Sequence, residues 1–182
     1  RRGWREGGRG QSRQGRCHER ASAHVCSLRT KRFALCLPAK EGHIRAMDDL
    51  YHPRILELAA DIPNLGRLEA PDGASTKVSR VCGSVVTVEL NVKDGVVTAI
   101  AVHPKACALG QAATGVLAMN AVGAAPAEIR AARDGLRAML KEGAAPPAGR
   151  FWELRHLEGV RDYPARHTST MLAFDAAVEA LD

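Results

Sequence analysis

Two cysteines and their neighbours hold most of the chemistry that this sequence can be expected to do. In Lys105-Ala106-Cys107-Ala108-Leu109-Gly110 a thiol stands where an extended, β-branched segment gives way to apolar residues at helical spacing: Leu109, Ala112, Ala113, Val116 and Leu117. Cys107 is therefore expected at or just before a helix N-terminus. Free backbone N–H groups and the positive end of the helix dipole favour a thiolate there, and Lys105 adds to the effect. Such a thiolate is a metal ligand or a nucleophile; the alternative is a small buried residue at a crowded strand–helix junction. The second thiol, Cys82, lies in Arg80-Val81-Cys82-Gly83-Ser84, where Gly83 permits a tight turn and a close approach of backbone to a ligand. A third segment, Arg166-His167-Thr168-Ser169-Thr170, is expected to open the last helix. His103, beside Pro104, could ligate a metal, although a histidine capping a strand end is the plainer reading.

The elements that must position these groups read as follows. A first helix is expected over 48–61, with Tyr51, Ile55, Leu58 and Ile62 on its apolar side. A short strand over 75–81 follows. The alternation over 84–92 then sets Val86, Val88, Leu90 and Val92 on one face, and Thr87, Glu89 and Asn91 on the other. Asp94-Gly95 is a type I′ hairpin signal, and the chain should return over 96–103 until Pro104 stops it. The hairpin brings Cys82 and Cys107 to the same end of the sheet. Helices are expected from Leu109, from Pro126 to Gly143, briefly over 151–157, and from an N-cap at Thr168 or Ser169 onward, with Met171, Phe174, Val178 and Leu181 inward. The fold class is α+β: a three-stranded antiparallel sheet preceded by one helix and followed by three to four helices packed on it.

Charge divides the chain. Residues 1–46 carry 12 Lys/Arg against 3 Asp/Glu, and residues 47–182 carry 14 against 17, so the net charge of +6 belongs to the head. The body has no basic patch of the kind that nucleic acid selects. No apolar run approaches the ~20 residues of a membrane span. Cys17, Cys26 and Cys36 lie irregularly in the head, and two cysteines in the body do not make a secreted disulfide framework. The head, 1–46, is rich in Arg, Gly and Ser without apolar period and is expected to be disordered. Met47 looks like a natural start, which makes translated upstream sequence the preferred account of the head and an organelle transit peptide the alternative. The second domain is 47–182, expected in the cytoplasm, or in mitochondria if the head is a transit peptide. The Arg130, Arg133 and Arg137 row reads as one solvated helix face.

Three segments, Val81-Cys82-Gly83-Ser84, Lys105-Ala106-Cys107-Ala108-Leu109-Gly110 and Thr168-Ser169-Thr170-Met171-Leu172-Ala173, resemble the cysteine segments of the NifU/IscU-type iron–sulfur cluster scaffolds. The resemblance covers about Leu50 to Leu181. It implies a SufE/NifU-like fold and a binding and transfer protein, not an enzyme. Such a scaffold takes sulfur from a cysteine desulfurase and passes a cluster to acceptor apo-proteins. Cys82 and Cys107 match the first and second family cysteines; the third falls on Ser169, the family's Asp on Ser84, and its histidine on Thr168, one residue after His167. The segment that precedes the family's third cysteine is represented only by Pro164 and Arg166. The implied site is Cys82 and Cys107 as metal ligands, completed by Ser169, His103 or His167 and lined by Gly83, Ser84, Lys105 and Thr168. The cargo would be a labile iron–sulfur cluster, [2Fe-2S] first, or a single Fe or Zn ion, and the second subunit of a homodimer could supply further thiolates. Two other classes stay open: a two-cysteine thiol peroxidase, whose Cα atoms would lie within about 7 Å, and a metal-free interaction module of the same fold.

Overall fold

The computed structural model describes residues 50–182; the expected disordered head at 1–46, and Asp48 and Asp49 at the start of the first helix, lie outside the described residues. Helix α1 spans Pro53–Ala60, with Pro53 at its first position, where no intrahelical donor is needed, and with Ile55 and Leu58 buried. Strands β1 (Gly73–Val78), β2 (Val85–Lys93) and β3 (Val96–Lys105) form an antiparallel sheet in the order β1-β2-β3. Asp94 and Gly95 both take left-handed φ values, 53° and 78°, as the tight hairpin requires.

The sheet buries Val86, Val88 and Leu90 against the helices, as the alternation predicts. Glu89, on the opposite face, is nevertheless only 7% exposed, because it accepts a 2.7 Å hydrogen bond from the Leu68 backbone N–H. Pro104 does not stop β3, which continues through Lys105 with Pro104 opposite Val86. The reason is its place on an edge. Val102 turns its N–H and carbonyl outward to Asn64 and Gly66. Two residues on, the nitrogen of Pro104 faces the same outer side, where no ladder donor is required.

Four helical elements follow: α2 (Ala108–Asn120), α3 (Pro126–Glu142), a 3-10 segment (Gly149–Asp162) and α4 (Pro164–Ala180). The 3-10 segment is longer than the short helix expected over 151–157; its Phe151, Leu154, Leu157 and Val160 are all buried. Helix α4 begins at Pro164 and not near Thr168 or Ser169, because a proline at the first helical position presets φ. It packs against the sheet, α2, α3 and the 3-10 segment. It is therefore buried nearly all round from Ser169 to Val178, beyond the stripe that its periodicity marks. At the far side, Arg54 ties α1 to the nearly buried Glu153 and to Glu57. Among the described residues no helix is long and apolar enough to cross a membrane.

Candidate functional site

The turn between β1 and β2, the junction of β3 with α2, and the second turn of α4 meet at one end of the sheet. Ser79 to Gly83 close a turn in which the Gly83 N–H bonds the Ser79 carbonyl at 2.8 Å, with Gly83 at φ 70°. This exposes Cys82 at the turn while Ser79 and Ser84 stay buried. Cys107 is the N-cap of α2, in extended conformation (φ −65°, ψ 166°), and is half-buried against the core.

Serine hydroxyls join the two thiols. The Cys82 Sγ lies 3.3 Å from Ser79 Oγ and 3.0 Å from Ser84 Oγ, and the Cys107 backbone N–H donates to Ser84 Oγ at 3.4 Å. Ser84 Oγ thus touches both cysteine segments at once. Cys107 Sγ contacts Ser169 Oγ at 3.6 Å, and Ser169 donates its own proton to the Arg166 carbonyl at 2.9 Å. Ser169 is fully buried; it bonds back along its helix and caps no N–H, which corrects the N-cap expectation.

Ser79 and then Ser84 stabilise the charged form of Cys82, joined by the Ser84 N–H and the Ser169 hydroxyl, and its slight burial opposes them. The thiol is lowered to about 7. Cys82 therefore carries more thiolate at neutral pH than an ordinary cysteine does. Alkylation of Cys82 by iodoacetamide, followed residue by residue with mass spectrometry, is expected to show a midpoint near pH 7. In Ser79→Ala the midpoint should move up toward the ~8.5 of an ordinary thiol. A midpoint unmoved by Ser79→Ala would mean that the hydroxyl does not set it.

The other expected residues are distributed differently. Gly83 and Ser84 belong to the Cys82 turn. Lys105 is exposed at the end of β3, opposite Val85. His103 is exposed on the outer sheet face, opposite Thr87 and away from the helices. His167 points its Nε2 at the carbonyls of Val160 and Arg161, at 3.2 and 3.1 Å, and Thr168 is exposed beside it. The structure thus joins Cys82, Ser84, Cys107 and Ser169, and brings neither histidine into that set. Ser79 is the neighbour of Cys82 that sequence reasoning passed over; its only signal was a serine three positions before a cysteine in a Gly-containing turn. Among the described residues no three His, Cys, Asp or Glu side chains stand close enough to hold a metal ion.

Close approach of backbones keeps the cluster of side chains together. A Cβ on Gly110 would lie 2.9 Å from the Ser169 carbonyl oxygen and 2.9 Å from Ala106 Cβ. Gly110→Ala is expected to push α4 from α2, at a cost of about 1–3 kcal/mol for overpacking, against about 1 kcal/mol gained in helix propensity. Thermal unfolding should show a lowered midpoint. An unchanged midpoint would mean that α4 yields without cost.

No protein-family model matches the chain, and no curated protein matches it. Solved structures do. The N-terminal part of a nitrogen-fixing NifU-like protein from Brucella abortus is 50% identical, over 75% of this chain and 94% of that one, with a TM-score of 0.74. A putative iron–sulfur cluster assembly scaffold protein for the SUF system from Fervidobacterium islandicum AW-1 (18% identity, 74% of this chain and 98% of that one, TM-score 0.68) shares the fold. So does a hypothetical protein (23%, 74% and 98%, 0.65). Half of the aligned residues are identical to the Brucella domain along almost its whole length, and the sheet with its packed helices is common to all three. This chain accordingly belongs to the NifU/IscU-type scaffold family.

Proposed function

We propose that this protein is an iron–sulfur cluster assembly scaffold or accessory carrier that holds iron, or a labile [2Fe-2S] cluster, as cargo on Cys82 and Cys107. The carrying observation is the meeting of these two thiols around Ser84 and Ser169, in a chain of this family. Thiolates select iron and zinc among the biological metals, while a serine hydroxyl keeps its proton near neutral pH and binds iron weakly. This chain therefore offers two strong ligands. The remaining positions on the cargo fall to a second subunit, a partner or sulfide. That makes the cargo labile, which suits transfer to acceptor apo-proteins.

Sulfur enters through the more exposed thiol. The Cys82 thiolate attacks the outer sulfur of a persulfide on a cysteine desulfurase. The new S–S bond forms on Cys82 as the donor's S–S bond breaks, and the donor leaves as its thiolate, with no net oxidation. The protein itself completes no turnover, in keeping with a binding and transfer role. Free thiols at Cys82 and Cys107 fit work in a reducing cytoplasm. The test is anaerobic reconstitution of the full chain with ferrous iron, cysteine, a desulfurase and dithiothreitol, which supplies the electrons that reduce the delivered sulfur to sulfide. Visible thiolate-to-iron charge-transfer absorption should develop. Its failure to develop, or its persistence without both thiols, overturns the proposal.

A further inference from the structure

The start of α1, the 3-10 segment and the loop before it line a cavity of about 620 Å³ that shares no residue with the cysteine end. Its basic groups are His52, Arg155 and His156, its carboxylate is Glu158, and Pro146 and Pro147 give it an apolar wall. His52 is the N-cap of α1 yet makes no capping bond. Its ring reaches across instead: Nε2 donates to the His156 carbonyl at 3.3 Å, and the two rings meet edge to face with centroids 5.4 Å apart. That contact commits the Nε2 proton and leaves Nδ1 for a ligand. The His156 ring also meets Trp152 edge to face, at 6.0 Å, and makes no hydrogen bond among the described residues. Arg155 Nε donates to the Trp152 carbonyl at 3.2 Å, and its guanidinium lies 4.9 Å from the centre of the Trp152 ring. These contacts hold the fork in place and leave its terminal nitrogens for a ligand. Among the described residues no ion pair reaches His52, Arg155 or His156. A smaller basic cavity, of about 220 Å³, differs on both counts: its Arg137 pairs with Asp175, and its His167 Nε2 faces two carbonyls.

We propose that this cavity binds a small organic oxyanion, a carboxylate or a phosphate ester, with its charge on Arg155, His156 and His52 and its apolar body on Pro146 and Pro147. The site is independent of the cluster-assembly role. Its volume exceeds that of a bare ion and suits a compact organic molecule. The planar fork of Arg155 matches two oxygens of a carboxylate or phosphate, and its place over Trp152 presets the fork at little cost in ordering. The imidazoles add donors when they are protonated. His156 is held below the ordinary histidine range, first by burial and then by the positive charge of His52, with Arg54 and Arg155 adding to it and Glu153 opposing. Glu153 is itself engaged by Arg54, and the wall residues 144–148 carry no charge. Glu158 disfavours an anion, but it is exposed, where salt and water screen it. An oxyanion among these groups favours the imidazolium, so that binding and proton uptake reinforce each other.

The probes are benzoate, phenyl phosphate and the uncharged benzyl alcohol, each titrated into the full chain and followed by calorimetry and by the NMR resonances of the histidine rings. Benzoate keeps its charge between about pH 6 and about pH 7.5, and it is expected to bind about fivefold more tightly at the lower value and to raise the titration midpoint of His156. Arg155→Gln should weaken binding of both anions about tenfold and leave the thermal midpoint unchanged, because the side chain is exposed. His156→Phe, which keeps a ring against His52 and Trp152, should lose most of the tightening at low pH. Circular dichroism checks that each variant is folded. Either anion as the tighter ligand at about pH 7.5 supports the proposal and assigns the class of ligand. Binding of neither anion at millimolar concentration, benzyl alcohol binding as well as benzoate, affinity unchanged in Arg155→Gln, or a His156 midpoint that does not rise with benzoate overturns it. None of these readouts involves the thiols, so the cluster-assembly reading stands or falls separately.

Discussion

Replacing Cys107 by serine in the full chain is expected to abolish the charge-transfer absorption that the parent develops on reconstitution, and the Cys82→Ser/Cys107→Ser pair should show none. The parent supplies two thiolates at one end of the sheet and, beyond them, only hydroxyls. Loss of Cys107 leaves one thiolate, which cannot chelate. Cys82→Ser should retain a little more, because the retained thiol at the N-cap of α2 is half-buried and better protected from exchange with water. Both substitutions nearly preserve shape. Cys82 is exposed and Cys107 borders the core, so the thermal midpoint should change little while the absorption disappears. The head cysteines, Cys17, Cys26 and Cys36, are intact in every variant. Absorption of parental strength in the double variant would place the cargo on them or elsewhere and end the reading.

The geometry of the sheet end was largely legible in the sequence because it depends on short-range signals. Alternation fixed the faces of β2, Asp94-Gly95 fixed the hairpin, and together they brought Cys82 and Cys107 to the same end. The switch of period after Pro104 placed Cys107 at a helix start, and it is the N-cap. What escaped depended on tertiary neighbours. Pro104 was compatible with β3 only because β3 is an edge whose outer side meets Asn64 and Gly66. The start of α4 at Pro164 was hidden by polar residues 166–170, which look like a loop until the packing of their buried members is known. Ser79 contributes through a turn that folds its hydroxyl under Cys82, a geometry that composition does not encode.

On the resemblance drawn from the sequence, Ser84 and Ser169 fall where the family carries an Asp and a cysteine, and their surroundings differ. Ser84 is tied into both cysteine segments, accepting the Cys107 N–H and facing the Cys82 sulfur at 3.0 Å. A carboxylate there would repel the Cys82 thiolate that the hydroxyl now stabilises. The neutral hydroxyl therefore favours an ionised, nucleophilic Cys82. On the proposed reading Ser169 has the opposite effect: it would occupy the place of a ligand with a group that cannot ionise near neutral pH. On the proposed function, one difference in this pair would preserve the sulfur-accepting thiol and the other would loosen the grip on metal.

Ser169→Cys is accordingly expected to convert a labile site into a retentive one. The Ser169 Oγ already lies 3.6 Å from Cys107 Sγ, and its helix is held against α2 by the close approach at Gly110. A sulfur at that position needs no movement of backbone to face the other two thiols. Its larger radius must be accommodated in a fully buried place, at a cost of up to about 1–3 kcal/mol. Against this, each tenfold gain in metal affinity is worth about 1.4 kcal/mol, and a third thiolate commonly supplies more than one such factor. Loaded with zinc or reconstituted with iron and sulfide, the variant should hold its cargo against a competing chelator at least about tenfold longer than the parent. The parent should show substoichiometric occupancy after gel filtration. Stability provides a control with the opposite sign: without metal the variant should melt below the parent, and with zinc above it, since a ligand that binds only the folded state raises the midpoint. A parent that already retains full, stable cargo, with no change in Ser169→Cys, would mean that another group completes the site. His103 and His167 would then have to leave their present positions to do so.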